Sequence, residues 1–454
     1  MSVWKVTIMK QARRSFIRNA AGVASLSMCG YAFPAITRTR SPNALLSHAC
    51  IGTGNMARAD LGGLMSHKRI HITALCDVDS TYLAAAKKMC PDARIYRDAF
   101  EMMASEGDRI DSVNVSTPDH THAQYVLEAL RRGLNVYGQK PLCHELADCR
   151  RIEQMAAKAG TVTQMGTQVA AFVCDRQTVN LLRSGVIGQV KKVWLFSTRR
   201  SDPPASAFEF PPKESSVPAT LDWKLWLGPA KDRPYATGCY HPKAWRRWRD
   251  FGSSWIGDLE IHLMSPIWLG LNLGTTGPMS VTAEIPDDGW TEAQKAAFWP
   301  RMCHITWTFP GIKATGGKPF EIEWCDGFGD RARYLEPKFL PPAFLQDIAA
   351  RTPYGELPPQ GRVVEGSDGW LLSTHYGVPP VVLMKNSAKS VPVSELSPGQ
   401  SHYHEYVNCC LYGGKPTSSF AWAGRMTEMS LIGNAAQLKP GVTLNWDNEK
   451  GVLS

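Results

Sequence analysis

No Asp or Glu precedes Asp60, and no Trp lies between Trp4 and Trp194. None of the 12 Cys residues forms a Cys-x-x-Cys pair, so the usual ligand spacing of a structural zinc site is missing. Buried thiols acting as small apolar side chains are the expected use of most of them. Beyond the N-terminal segment no stretch approaches the roughly 20 uninterrupted apolar residues of a membrane helix, and no stable membrane span is expected. With 44% hydrophobic and 20% charged residues, the chain is neither coiled coil, collagenous nor low-complexity. What remains is a globular protein of 454 residues, too long for one ordinary domain and read as two.

The net charge of +9 is unevenly placed. Lys5, Lys10, Arg13, Arg14 and Arg18 lie within residues 1–32; subtracting these five from nine leaves +4 for the rest of the chain. A basic stretch, a short apolar run from Ala20 to Phe33, and the small residues Gly30 and Ala32 form the pattern of a signal peptide spanning 1–32. Arg13-Arg14-Ser15-Phe16-Ile17-Arg18 resembles a twin-arginine signal, an address for proteins exported already folded to the periplasm or beyond. Initiation at Met1 or at Met9 is compatible with that pattern. The remaining charge is modest and no nucleic-acid module is recognisable, so no nucleic-acid partner is expected.

From about residue 45, short apolar runs alternate with amphipathic segments, the pattern of βαβ units over a parallel sheet. Strands are expected near 45–51, 70–76, 111–116, 134–137 and 161–165, with helices near 56–66, 80–89, 122–132 and 144–159. The first strand runs into Gly52-Thr53-Gly54-Asn55-Met56-Ala57, a G-x-G-x-x-A turn. Gly52 allows the tight turn, Gly54 lets a pyrophosphate approach the backbone, and Ala57 keeps the helix close to the sheet. Asp77 ends the second strand, where a carboxylate takes ribose hydroxyls and repels a 2′-phosphate, so NAD is favoured over NADP. A helix cap is the alternative use of Asp77. Two further strand ends read Ser116-Thr117-Pro118-Asp119-His120-Thr121-His122 and Gln139-Lys140-Pro141, at the sheet edge where ligands bind.

The order of these motifs, with Gly257-Asp258-Leu259-Glu260-Ile261-His262 further on, resembles the glucose-fructose oxidoreductase, inositol dehydrogenase and rhizopine catabolism (Gfo/Idh/MocA) family from about 45 to 450. The resemblance implies an α/β protein: an N-terminal Rossmann dinucleotide-binding domain plus a C-terminal α/β domain with a large open, mostly antiparallel sheet. The divisions expected are 43–165 for the nucleotide domain, 166–440 for the substrate and oligomerisation domain, and a tail, 441–454, packing back on the fold. It further implies a catalytic set of Lys140, Asp258 and His262. Gln139 stands where the family usually has Glu, removing a charge beside Lys140. The cofactor set is Gly52, Thr53, Gly54, Asn55, Met56, Asp77, Ser116, Thr117, Pro118, His122, Gln139 and Lys140. The chemistry is coherent by itself: Asp258 and His262 are four apart and share a helix face. A neutral imidazole accepts a hydroxyl proton while an ammonium stabilises the alkoxide. A buried structural histidine and a helix-capping carboxylate are the competing uses of His262 and Asp258.

Fourteen of the 15 Trp fall after residue 190. Trp194, Trp307 and Trp324 sit in strand-like runs and are expected in the core. Trp223 and Trp226 precede Tyr240-His241-Pro242-Lys243-Ala244-Trp245-Arg246-Arg247-Trp248. An aromatic face suits a sugar's C–H face and neighbouring polar groups its hydroxyls, so His241, Trp245 and Arg246 are the substrate candidates. Packing of this loop on the Rossmann domain or on another subunit is equally open. Residues 401–438 look helical. His402, His404 and Glu405 within them invite a metal, but a His-x-His pair on a helix points two ways, and no metal is assigned.

The function expected is an exported NAD(P)-dependent sugar oxidoreductase with tightly bound cofactor, since free NAD is scarce outside the cytoplasm. It acts on a carbohydrate, engages the twin-arginine machinery and forms a homo-oligomer. The alternatives are a redox-neutral glycosidase or lyase working by transient oxidation and elimination, and a catalytically silent sugar-binding protein. The Gln139-Lys140-Pro141 motif favours the first over the second, and the presence of Lys140, Asp258 and His262 argues against the third.

Overall fold

A computed structural model describes every residue except 1–43, 200–209, 275, 330–334, 376, 388, 389, 392, 394 and 398. The segment read as an export signal lies outside the described residues.

The first half is a parallel sheet of six strands in the order β3-β2-β1-β4-β5-β6. They are β1 (Leu46–Ile51), β2 (Ile70–Cys76), β3 (Arg94–Tyr96), β4 (Ser112–Val115), β5 (Asn135–Gly138) and β6 (Thr163–Met165). The helices α1 (Asn55–Met65), α2 (Ser80–Met89), α3 (Ala99–Glu106), α4 (His122–Arg131) and α5 (Leu146–Ala159) alternate with them. β3 and α3 were not anticipated. Three residues are too few to show an alternating pattern, and the helix is marked only by Asp98, whose carboxylate caps the amides of Phe100 and Glu101. The order reverses between β1 and β4, and this crevice is where dinucleotides bind in such sheets.

The second half is a ten-stranded sheet, antiparallel except where β7 (Val190–Ser197) runs parallel to the strand Phe320–Asp326. Side chains of β7 alternate between two cores, as a strand buried on both faces requires. Val193 and Leu195 join Ile305, Trp307 and Trp324 beneath the helices α6 (Val173–Ser184), α7 (Ile261–Gly270) and α9 (Phe420–Gln437). Trp194 and Phe196 pack with Phe339, Leu345 and Ile348 on the other side. The end of the chain returns as a strand, Leu444–Asp447, which pairs with Ser280–Glu284. Among the described residues no helix is long and apolar enough to cross a membrane.

Residues 401–438 are two helices rather than one. α8 (His402–Tyr412) stops at Gly413 and Gly414, whose φ values of +81° and +119° leave the helical region, and Pro416 cannot extend it. α8 packs on α1, and α9 packs along α5, so this C-terminal pair joins the two sheets. His402 is held by the Met165 carbonyl at 3.0 Å, His404 by the Ser66 hydroxyl at 2.9 Å, and Glu405 accepts from Thr417.

Candidate functional site

One cleft runs along the carboxyl ends of β1, β2, β4 and β5, with about 910 Å³ of space open to solvent. Its walls include Gly52, Gly54, Asn55, Met56, Asp77, Ser116, Thr117, Pro118, Gln139 and Lys140 from the first half, and His241, Trp245, Arg246 and Asp258 from the second. Thr53, His122 and His262 are not on the wall. Thr53 is buried against Asp77, and His122 is sandwiched between the carbonyls of Pro141 (2.7 Å) and Thr117 (2.8 Å). These two brace the cleft from behind.

The phosphate end fits a dinucleotide. Gly52 has φ +88°, and a Cβ there would lie 2.6 Å from the Ser116 carbonyl oxygen, so only glycine closes this turn. α1 begins at Asn55 with no side chain capping it and no acidic residue in its first turn, leaving its amides open to an anion. Asp77 accepts from the Thr53 amide (2.8 Å) and hydroxyl (2.9 Å) and from the Asp79 amide (2.9 Å). Burial pushes its carboxyl above the usual range, and these three donors work against that shift. The helix cap weighed for Asp77 is instead supplied by Asp79, which accepts from the Thr81 amide.

At the other end Lys140 Nζ contacts Asp258 Oδ1 at 2.5 Å and the Asp258 carbonyl at 2.7 Å. Arg246 Nε stands 3.6 Å from the same carboxylate oxygen, with its guanidinium over the Trp245 ring. Although burial opposes ionisation, the Lys140 ammonium and the Arg246 guanidinium hold Asp258 well below the usual carboxylate range. A carboxylate so stabilised is a poor base. The buried ring of His262 is pushed well below the usual histidine range by burial, then by Lys140 and by His375, 5.2 Å away ring to ring. That shift keeps the ring neutral, and its buried Nδ1 has no hydrogen-bond partner. Asp258 lies in a π-helical turn, Ile256–Glu260, that opens directly into α7, and not in one regular α-helix with His262 as the spacing suggested. Such a turn is a recurrent device for re-aiming a side chain at a site.

His241 is not beside Lys140 and Asp258. Its Nε2 is 2.9 Å from Asp79 Oδ2 and its ring meets Tyr82, the residue covering Gly54. The loop therefore packs on the nucleotide domain at this point, whereas Arg246 reaches Asp258 with Trp245 beneath its guanidinium. Trp248 is buried, donating to the Cys239 carbonyl, and Trp226 stacks on Trp223 at 4.8 Å. Tyr82, Arg97, Asp119 and Trp226 also line the cleft and were not anticipated. Asp119 lay within the quoted Ser-Thr-Pro-Asp string; Arg97 follows the strand too short to recognise.

Glu260, the last residue of the π-helical turn, is fully buried, with Ser430 donating to Oε2 and no partner at Oε1. Burial pushes it up to about 8. Between pH 4.5 and 8 the folded protein keeps a proton that the unfolded chain has lost, so stability falls as pH rises through this window. Glu260→Gln is expected to leave the unfolding free energy within about 1 kcal/mol of wild type at pH 6 and to flatten that decline. Parallel slopes in thermal melts across this range would contradict the assignment.

Fold and cleft together define a two-domain dinucleotide-binding protein with a lysine, a carboxylate and a histidine where the domains meet. Residues 46–167 match an oxidoreductase family with an NAD-binding Rossmann fold, and residues 209–308 match the C-terminal α/β domain of the same family. The chain thus matches, in order, the models of both domains of the Gfo/Idh/MocA oxidoreductase family. Among curated proteins it is 31% identical over 140 residues to D-apiose dehydrogenase of Paraburkholderia graminis, covering 31% of this chain and 37% of that one. It is 27% identical over 146 residues to 2,7-anhydro-N-acetylneuraminate hydratase of Mediterraneibacter gnavus, covering 32% and 37%. These matches span well under half the length of the curated relatives. Aldose-aldose oxidoreductase from Caulobacter crescentus shares the fold, with a TM-score of 0.59 at 16% identity over 88% of this chain and 99% of that one. Levoglucosan dehydrogenase, solved with NADH and levoglucosan, does so with a TM-score of 0.58 at 13% identity over 90% and 98%.

Proposed function

We propose that this protein is an NAD-dependent oxidoreductase acting on a hydroxyl of a sugar or glycoside. The reading rests on one observation above the rest: Lys140, Asp258 and Arg246 converge at one end of a cleft whose other end is built for a dinucleotide. Gly52, Gly54, the start of α1 and Asp77 would hold the cofactor, whose nicotinamide supplies a hydride acceptor. The neutral imidazole of His262, within electrostatic reach of Lys140 and Asp258 just behind the cleft wall, is the proton acceptor of this reading, and the Lys140 ammonium stabilises the alkoxide as it forms. Asp258 fixes the ammonium and offers its second oxygen to a neighbouring hydroxyl. Trp245 presents an aromatic face and Arg246 a fork of donors to the sugar. The similarity to D-apiose dehydrogenase supports this substrate class.

The proposal includes export through the N-terminal arginine pair, and a cofactor that leaves the cytoplasm already bound and does not exchange. A resident cofactor suits chemistry in which the hydride is returned, either to a second carbonyl substrate or to the same sugar. The similarity to a hydratase favours keeping the redox-neutral route as a second reading.

Purified protein is expected to show nicotinamide absorbance or fluorescence without added NAD; protein that is cofactor-free and binds none contradicts the reading. Incubation with a panel of aldoses, levoglucosan and aryl glycosides in deuterated water then separates the routes. Accumulated ketosugar supports the oxidoreductase. Free sugar carrying deuterium next to the oxidised carbon supports transient oxidation. Dinucleotide bound but never reduced by any member of the panel contradicts both.

A further inference from the structure

Behind the cleft lies a buried carboxylate to which no role has been given. Asp60, on α1, is fully inaccessible and surrounded by donors from four other segments. Gln139 Nε2 donates to both its oxygens at 3.0 and 2.9 Å, Ser116 Oγ at 2.7 Å, the Tyr403 hydroxyl at 2.9 Å and Gln168 Nε2 at 3.3 Å. Burial pushes the Asp60 carboxyl upward, and the hydrogen bonds from Ser116, Gln139, Tyr403 and Gln168 all work against that shift by favouring the ionised form. Two of the donors, Ser116 and Gln139, stand at the ends of β4 and β5, the strand ends that meet the cofactor cleft. Gln139 also accepts from the Lys140 amide at 3.2 Å, so its side chain is pinned at both ends.

We infer that Asp60 is the residue that positions Lys140 and the Ser116 turn, and that Asp60 and Gln139 act as a matched carboxylate–amide pair. The negative charge usual at position 139 in the family has not been lost from this site. It stands on α1 instead, and the side chain beside Lys140 is an amide because a carboxylate there would face Asp60 at hydrogen-bond distance. Two such groups cannot both be ionised, and one must hold a proton. The inference depends on the proposed function for what Lys140 does, but the geometry it describes can be tested without any sugar.

The test is a charge exchange read by NADH binding, followed by fluorescence titration or competition at pH 5.5 and 8.5. Gln139→Glu alone is expected to weaken NADH about tenfold or more at pH 8.5, and less at pH 5.5 where the shared proton is retained. Asp60→Asn alone places an amide donor opposite the Gln139 donor and weakens binding at both pH values alike. The double variant, Asp60→Asn with Gln139→Glu, restores the pair in reverse and is expected to return within about threefold of wild type, a coupling that independent sites would not show. The other titratable groups facing Asp60 are Tyr403, Tyr137 and Cys50, all pushed upward by burial and silent over this range. Additive losses in the double variant would overturn the inference, as would wild-type NADH affinity in Gln139→Glu at pH 8.5. A lowered melting midpoint with unchanged affinity would assign Asp60 to packing alone, again overturning it. If Gln139→Glu fails to fold, folding of the double variant supports the pairing, and its failure while Asp60→Asn binds normally refutes it. Wild-type protein that binds no NADH sinks the proposed function itself, a result distinct from these.

Discussion

Lys140→Ala is expected to lower the rate of nicotinamide reduction by roughly a thousandfold or more while NADH stays bound. Removing one preorganised donor from a developing oxyanion typically costs 10²–10³ in rate, about 3 to 4 kcal/mol of barrier. Here the loss is compounded, because Lys140 also holds Asp258 by its side chain and by its carbonyl. Without the ammonium, the carboxylate is left with the more distant Arg246 guanidinium, at 3.6 Å. Asp258 then swings from its place or rises toward the normal carboxylate range, and the second hydroxyl of the sugar loses its anchor. The phosphate end of the cleft is built from other residues, so cofactor binding survives. Single-turnover reduction of bound NAD by the best sugar of the panel, beside an NADH titration, checks both halves. Near-normal reduction in the variant would remove Lys140 from the mechanism.

Arg362→Met is expected to destabilise the fold by about 3 to 5 kcal/mol, the usual cost of removing one partner from a buried ion pair. Arg362 is completely inaccessible and satisfied on every side. It meets the Asp175 carboxylate and donates to Ser373 Oγ at 2.7 Å, to the Leu263 carbonyl at 2.8 Å and to the Thr374 carbonyl at 2.8 Å. These groups tie α6, α7 and two sheet strands together, and Leu263 directly follows His262. Burial already pushes Asp175 up to about 6 against the pull of the guanidinium. Methionine fills much of the volume but leaves Asp175 charged with no counter-ion, or protonated at a cost that grows with pH. The loss is therefore expected to be smaller near pH 5 than near pH 8. Adding Asp175→Asn removes the stranded charge and is expected to recover part of it. Chemical denaturation at the two pH values measures the difference; a variant as stable as wild type at pH 8 would show that the pair contributes nothing.

The nucleotide half was legible because its signals are local. The turn at Gly52 and Gly54 lies on one short stretch, and Gly52 is required there by a backbone contact that any reader of the turn geometry expects. Strands β1, β2, β4, β5 and β6 announced themselves by apolar runs between helices. β3 escaped because three exposed or half-exposed residues carry no pattern. The tryptophan loop was harder. Composition located it but left sugar binding and domain packing open; in the fold His241 packs on Asp79 and Tyr82, while Arg246 reaches Asp258 and Trp245 lines the cleft. Nothing in the spacing of these residues separates the two fates.

The amino-acid sequence by itself determined the α/β class and the place of the glycine turn, and the family resemblance singled out Lys140, Asp258 and His262 as candidates. Tertiary structure alone decided which of them meet. Lys140 and Asp258 are 118 residues apart, Asp60 and Gln139 are 79 apart, and Asp79 and His241 are 162 apart. Periodicity reports which face of its own element a side chain occupies, over a turn or two. It carries no information about which distant element that face will meet, because that is settled by the packing of two sheets and the helices that join them. The meaning of Gln139 shows the difference: alone it is a missing charge, and in the folded chain it is the partner of one.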